Sequence, residues 1–321
     1  MSNGIAAVHW QQPQSGKDSA RAYFQDDTDL MLYEIGWDTP EKWYKGNGKR
    51  AIGPARRNTP LAVVRANAHY LFYIDTDNLI KEYIYSSVDH KWVPGTTLPC
   101  TDPSDNTNLA AVWYGTGKDF EIRLYYQHQS GIVGELLFRA GAWSTGRMWF
   151  GSPVHGTKIA VTNPSPTKQG SYSFHHFMVW TDLPAKDPRK YHIFHSMCTN
   201  DDWVGENLTP SVSPDGGLSC VSWATGTAGD DYKMRLYFTD ADGNVVELGY
   251  SSASGWDEAP HKPSHTTNSG SRPLAALAYP STSGTGMDVA VFVKKEGKAM
   301  LEMFSDGGSW IAPKELDWND F

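Results

Sequence analysis

Three arginines in the chain are each followed, at nearly the same distance, by a glutamate. Arg123 precedes Glu135 by twelve residues, as Arg235 precedes Glu247; Arg21 precedes Glu34 by thirteen, with Asp26-Asp27-Thr28-Asp29 able to absorb the extra residue in a turn. A guanidinium is a rigid fork of donors, and a carboxylate offers two acceptor oxygens. Together they suit a ligand with adjacent hydroxyls, each of which both donates and accepts, and charge-assisted bonds to such groups are short and directional. Three residues beyond Glu34, Glu135 and Glu247 stand Trp37, Phe138 and Tyr250. An aromatic ring against the C–H face of a pyranose, with Arg and Glu at its polar edge, is sugar-binding chemistry. The plainer account is a solvent-exposed ion pair worth at most about 1 kcal/mol, with the aromatics buried for packing alone. A solvated pair adds little to stability, so its threefold recurrence is poorly explained that way.

These residues sit in a repeat. A short run of small and apolar residues recurs as Ile5-Ala6-Ala7-Val8, Leu61-Ala62-Val63-Val64, Leu109-Ala110-Ala111-Val112, Ile159-Ala160-Val161-Thr162, Leu218-Ser219-Cys220-Val221 and Leu274-Ala275-Ala276-Leu277. A tryptophan closes each unit at Trp43, Trp92, Trp143, Trp203, Trp256 and Trp310, in steps of 49, 51, 60, 53 and 54 residues. Each unit reads as four short strands. The small-residue run comes first, then a strand such as Arg123-Leu124-Tyr125-Tyr126-Gln127, a turn such as Asp242-Gly243-Asn244 or Thr76-Asp77-Asn78, a third strand, and a fourth carrying the Trp. Runs with a 3.6-residue period are absent. Four strands in about 50 residues is the size of a propeller blade. The fold expected is therefore all-β: one six-bladed β-propeller domain over 1–321, with four-stranded antiparallel blades and repeats at roughly 1–48, 49–98, 99–150, 151–208, 209–262 and 263–321.

If each hairpin is centred between its Arg and Glu, the two become cross-strand neighbours on one face; a slip of one residue would part them. Alternate units break the pattern. The second has Tyr70 in the Arg position and keeps Glu82. The fourth has His175 or His176 in the first position and His195 in the second. The sixth has Ala290 and keeps Glu302.

Other classes fare less well. The net charge of −8 argues against a phosphate-binding groove for nucleic acid, and no apolar run is long enough for a membrane helix. Cys100, Cys198 and Cys220 are too few and too widely spaced for a disulfide framework or a zinc pattern. His192 and His195, three apart on a strand, would face opposite ways, so neither metal nor cofactor is expected. A glycosidase needs two carboxylates flanking one bond, and the glutamates are dispersed one per unit. A protein-interaction propeller stays open; the insertion Pro184-Ala185-Lys186-Asp187-Pro188-Arg189 could serve its contacts, although a tolerated surface insertion is the favoured reading of that segment. The first residues lack a basic region and an apolar run, so a cytoplasmic location is expected, with unconventional release to the surface as the other course; the sequon Asn207-Leu208-Thr209 would then stay unmodified.

In its combination of Ile/Leu-Ala-Ala, Arg-x-Tyr-x-Gln, Glu twelve residues on, an aromatic three later and Trp-x-x-Gly, the chain resembles the fungal fucose-binding lectins. Ile5-Ala6-Ala7, Arg21-Ala22-Tyr23-Phe24-Gln25 and Glu34 carry the pattern, as do Arg123 to Gln127, Glu135 and Trp143-Ser144-Thr145-Gly146. The resemblance spans all six units. It implies a multivalent lectin, commonly dimeric, that holds L-fucose and fucosylated glycans between adjacent blades. One pocket would use Arg21 and Glu34 with Tyr85 and Trp92. A second would use Arg123 and Glu135 with Trp203, Cys198 standing at the aromatic position. A third would use Arg235 and Glu247 with Trp310, and Ser305 at that position. Pockets headed by Tyr70/Glu82, by the histidines and by Ala290/Glu302 lack the cationic fork. Their aromatic walls would be Phe138/Trp143, Tyr250/Trp256 and Trp37/Trp43, and they are expected to bind fucose weakly, to bind something else, or to stay empty.

Overall fold

A computed structural model of the chain describes residues 4–12, 15–39, 43–47, 50–99, 102–149, 153–164, 173–181, 191–200, 202–208, 210, 212–213, 216–225, 231–257, 273–281, 286–294, 299–306 and 309–317. They form six antiparallel sheets, each built from strands consecutive in sequence. The first comprises β1 (Ile5–Gln11), β2 (Asp18–Gln25), β3 (Met31–Asp38) and β4 (Tyr44–Lys45), with the short β5 (Gly53–Pro54) also paired to β3. The second is β6 (Ala62–Arg65), β7 (His69–Ile74), β8 (Ile80–Ser86) and β9 (Lys91–Thr97). The third runs from β10 (Leu109–Tyr114) through β11 (Glu121–Gln127) and β12 (Val133–Arg139) to β13 (Ala142–Trp149). The fourth is β14 (Ile159–Thr162), β15 (Ser173–Thr181), β16 (Tyr191–Thr199) and β17 (Asp202–Leu208). The fifth is β18 (Leu218–Ala224), β19 (Tyr232–Thr239), β20 (Val245–Ser251) and β21 (Gly255–Trp256); the sixth is β22 (Leu274–Pro280), β23 (Met287–Lys294), β24 (Ala299–Asp306) and β25 (Ser309–Asp317). The first sheet reaches Pro54, past the boundary expected at 48, because β5 returns to pair with Met31 and Leu32.

Sheets three to five make one compact unit, and sheets one, two and six another. In the latter, β1 lies against β6 and β22; in the former, β14 lies against β10 and β18. The alanines of the small-residue runs permit that approach. Second strands are covered on both faces, which explains their near-continuous burial. On β2, Ala20, Ala22 and Phe24 pack with Ala290 and Phe292 of the sixth sheet, while Tyr23 turns the other way onto Leu71 and Trp92 of the second. Phe24 is fully buried, worth about 1.5–3 kcal/mol relative to exposure. In the other unit, Phe177, Ile193, Leu236 and Phe238 fill the space between the fourth and fifth sheets.

The turns follow the expected chemistry. Asp75 Oδ1 accepts from the N–H groups of Asp77 and Leu79, and Asp240 Oδ1 from those of Asp242 and Asn244. Gly243 takes φ 85°, where a side chain would be strained.

Candidate functional site

One motif, Arg-x-Tyr-x-Gln, places three side chains on one face of the second strand, and each has a separate task. The Tyr faces the Glu: Tyr23 pairs with Glu34, Tyr125 with Glu135 and Tyr237 with Glu247. The Arg therefore sits on the diagonal, opposite Gly36, Leu137 or Gly249, rather than directly across from its glutamate as a symmetric hairpin would have it. It still reaches. Arg123 Nη1 is 3.1 Å from Glu135 Oε1, Arg235 Nε 3.3 Å from Glu247 Oε1, and Arg21 Nε 3.5 Å from Glu34 Oε1. The Gln fastens a loop: Gln25 Nε2 donates to the Arg56 carbonyl at 2.9 Å, and Gln127 Nε2 to that of Val154 at 3.0 Å.

The Trp-x-x-Gly element builds a seat for the carboxylate. A Cβ on Gly46, Gly95 or Gly146 would overlap Glu34, Glu82 or Glu135 respectively. The next residue then donates its N–H to that glutamate: Asn47 to Glu34 (3.1 Å), Thr96 to Glu82 (3.0 Å) and Arg147 to Glu135 (3.2 Å). Tyr125 and Tyr237 hydroxyls add bonds of 3.0 and 2.8 Å to Glu135 and Glu247. The closing Trp donates to a carboxylate of the preceding sheet: Trp92 Nε1 to Glu34 Oε2 (3.2 Å), Trp256 to Glu206 Oε1 (3.2 Å), and Trp43, of the first sheet, to Glu302 Oε1 of the sixth (3.1 Å).

Between the first and second sheets these elements enclose a cavity of about 370 Å³, lined by Arg21, Glu34 and Tyr85 and by Trp10, Tyr44, Lys45, Gly46, Asn47, His69 and His90. Trp92 is not among them. It is 7% exposed, edge-on to Tyr23 and bonded to Glu34, so it braces the carboxylate instead of presenting its ring to the cavity. The aromatic surface comes from Tyr85 and from Trp10, whose ring lies 5.1 Å from the Arg21 guanidinium. Asp38 also holds Arg21, at 3.1 Å, and takes the Tyr44 hydroxyl bond. Burial pushes the Glu34 carboxyl above its ordinary range, although Arg21, the Asn47 N–H, Trp92 and Tyr23 all favour its charge.

Trp10 was legible and overlooked. Two residues beyond the valine that pairs with each Arg stands an aromatic, Trp10, Tyr114 or Trp223, and each Arg lies over it at 5.1, 5.5 and 5.7 Å.

The Arg123 site is closed. Its Arg and Glu side chains are each 4% exposed, which removes the surface ion pair as an account of them. Tyr114, itself bonded to Glu121, accepts from Arg123 Nη2 at 3.0 Å, and Arg139 clamps Glu121. Cys198 is fully buried in one apolar cluster with Val112 and Tyr125, and Trp203 is partly buried against it. His176 stacks on Tyr125 at 4.7 Å and meets Trp203 edge-on at 6.3 Å. His176 is thus a wall of this site. The residue in the Arg position of the fourth sheet is His175, because Thr162 pairs with it as Val112 pairs with Arg123. His175 Nδ1 is 2.9 Å from His195 Nε2, and His195 Nδ1 is 3.0 Å from Glu206 Oε1, with Tyr250 and Trp256 packed around them. Glu206, a neighbour of His195 across the ladder, supplies there the carboxylate that the third strand lacks.

Tyr70 donates to Asn67 Oδ1 at 3.1 Å, Glu82 accepts from Thr96, and Phe138 packs on Trp143 at 5.3 Å. Trp37 packs on Tyr279 at 5.4 Å. With Ala290 where an Arg would be, burial pushes Glu302 up to about 7, only partly offset by Trp43 and Lys314. Trp310, on β25, pairs with Ser305 of β24. Among the described residues no cluster of three or more His, Cys, Asp or Glu could hold a metal ion. Cys100, Thr209 and the 184–189 insertion lie outside the described residues.

The model of the fungal fucose-specific lectin family matches residues 2–227 and 189–317. The chain belongs to that family. The family consists of carbohydrate-binding lectins, not enzymes. The chain is 25% identical to a fucose-specific lectin of Aleuria aurantia over 322 residues, covering 97% of this chain and 92% of that one. It is 22% identical to the fucose-specific lectin of Aspergillus fumigatus, covering 98% and 91%. The crystal structure of the Aleuria lectin, described as a six-bladed β-propeller with a novel fucose recognition mode, superposes with a TM-score of 0.76 at 21% identity, covering 99% of this chain and 96% of that one. The six sheets are the blades of a six-bladed β-propeller.

Proposed function

We propose that this chain binds L-fucose and fucosylated glycans at its Arg/Glu sites, and that the cavity between the first and second blades is the best formed of them. The carrying observation is that cavity, where a donor fork, a carboxylate and aromatic surface converge. Arg21 donates to ring and hydroxyl oxygens. Glu34 holds the fork in place and accepts from a hydroxyl through the lone pair that the long Arg21 contact uses weakly. Trp10 and Tyr85 cover the apolar face. Trp92, Tyr23 and Gly46 keep Glu34 seated. The same roles fall to Arg123 and Glu135 once that site opens, and to Arg235 and Glu247. Several weak sites on one chain give avidity for surfaces carrying many fucosylated glycans, and a homodimer would double their number.

Calorimetric titration with methyl α-L-fucoside tests this. Binding that loses one site in Arg21→Ala supports the reading. No heat at millimolar sugar, with a protein partner captured instead, would favour an interaction propeller.

A further inference from the structure

The cavity at Arg21 and Glu34 contains an imidazole that no Arg/Glu pattern foretells. His69, the first residue of β7, lies 3.3 Å through Nδ1 from the Tyr23 hydroxyl oxygen. Trp10 meets its ring edge-on at 4.5 Å, and Tyr85 and Trp92 lie at 5.9 and 6.3 Å, so its orientation is fixed. Tyr23 has a single proton. The residue faces Glu34 across the ladder as Tyr125 and Tyr237 face the glutamates to which they donate, which assigns that proton to Glu34. Its oxygen can therefore only accept from His69, which puts the imidazole proton on Nδ1 and leaves Nε2 as a bare acceptor. Among the described residues Nε2 has no hydrogen-bond partner, and it is not sealed from solvent. Burial, with Arg65 and Arg21 nearby, pushes the ring down to about 3, so it stays neutral.

Arg21 can only donate. Glu34 already accepts from Asn47 and Trp92 and holds Arg21 at 3.5 Å, which leaves it little more than one lone pair for the ligand. His69 is thus an acceptor in this cavity with nothing to accept. We propose that His69 Nε2 takes a hydrogen bond from a ligand hydroxyl, making His69 a specificity-determining residue of this one site. The inference rests on the sugar-binding reading. At the matching register position the fourth sheet has Phe174, and the imidazole that walls the Arg123 site, His176, stands two residues further on and stacks on the tyrosine ring instead of meeting its hydroxyl. Two sites with the same Arg/Glu pair would then rank hydroxylated rings differently.

The test uses the full chain carrying Arg123→Met with Glu135→Leu, so that no buried charge is left unpaired, and Arg235→Ala, which leaves Arg21 heading the one intact pair of the three repeated Arg/Glu pairs. Methyl α-L-fucoside and each of its monodeoxy analogues are titrated into that protein and into its His69→Phe and His69→Gln forms. With His69 present, loss of one particular hydroxyl should weaken binding about tenfold or more. His69→Phe should bind the parent sugar about tenfold more weakly and no longer distinguish that analogue; His69→Gln, which keeps a neutral acceptor, should still distinguish it. His69→Leu replaces the Phe form should that not fold. Unchanged affinity in His69→Phe, or an undiminished penalty for every missing hydroxyl, would overturn the role of His69 while leaving the sugar reading intact. Failure of the His69-containing protein to bind any of these sugars would overturn both.

Discussion

The sites headed by Arg21 and by Arg123 share a motif and differ in access. In the first, Arg21 is 15% exposed, lies over Trp10 and Tyr44, and borders a cavity. In the second, Arg123 and Glu135 are both 4% exposed, and Tyr114, Glu121 and Arg139 lock the guanidinium from one side. The neighbours differ too: Tyr85 and His69 line the open space at the first, whereas at the second Cys198 is buried and the His176 ring stacks on Tyr125. An identical ion pair can therefore be a ligand site in one place and chiefly a piece of core in another.

The largest expected effect breaks that comparison on stability. Glu135→Ala leaves a buried guanidinium without its carboxylate and should cost about 3–5 kcal/mol, besides abolishing its site. Glu34→Ala should cost about 1–3 kcal/mol, because Arg21 keeps Asp38 and some solvent. Equal shifts in denaturant midpoint would contradict the distinction.

Gly46→Ala tests the carboxylate seat. Its methyl must displace Glu34, so sugar binding at the Arg21 site should fall about tenfold or more, a loss of about 1.4 kcal/mol or more; titration of the variant reads it directly.

Acid should weaken the fold through its buried histidines. Burial lowers His69, His175 and His176 to about 3 and also lowers His195. In the unfolded chain each ring takes its proton near 6.5. The unfolded state therefore binds more protons as pH drops below about 6.5, and stability falls progressively toward about 3. His175→Phe should flatten the thermal midpoint against pH in that window. A midpoint that stays level from pH 7 to 4 would contradict this.

Glu302 should act in the opposite direction. Its carboxyl is raised to about 7, so the folded state holds the proton more tightly. Its contribution is full below about 4.5 and is lost as pH rises through about 7. Glu302→Gln should thus be more stable than the parent at pH 8 and nearly equal to it at pH 5, read from paired melts.

Much of this was legible in the sequence because the chain repeats itself. Six small-residue runs and six closing tryptophans, in constant order, admit few folds. Residues i, i+2 and i+4 of Arg-x-Tyr-x-Gln had to share a face once the strand was recognised. Register was harder. The pairing sets Tyr, not Arg, opposite Glu, because the hairpin is not centred between the two charges. His175 and His176 could not be separated, since the insertion between β15 and β16 hides the hairpin length and with it the parity of the strand. His69, Tyr44 and Asn47 reach the Arg21 cavity from strands and turns that carry no Arg or Glu marker, so only the fold brings them together.

Crystals soaked across a series of methyl α-L-fucoside concentrations would test the central claim most directly. Sugar should fill the Arg21 cavity at the lowest concentration, in contact with Arg21 and Trp10, and should enter the Arg123 site only at much higher concentration. Sugar bound first at Arg123, or at none of the Arg/Glu sites, would contradict the account.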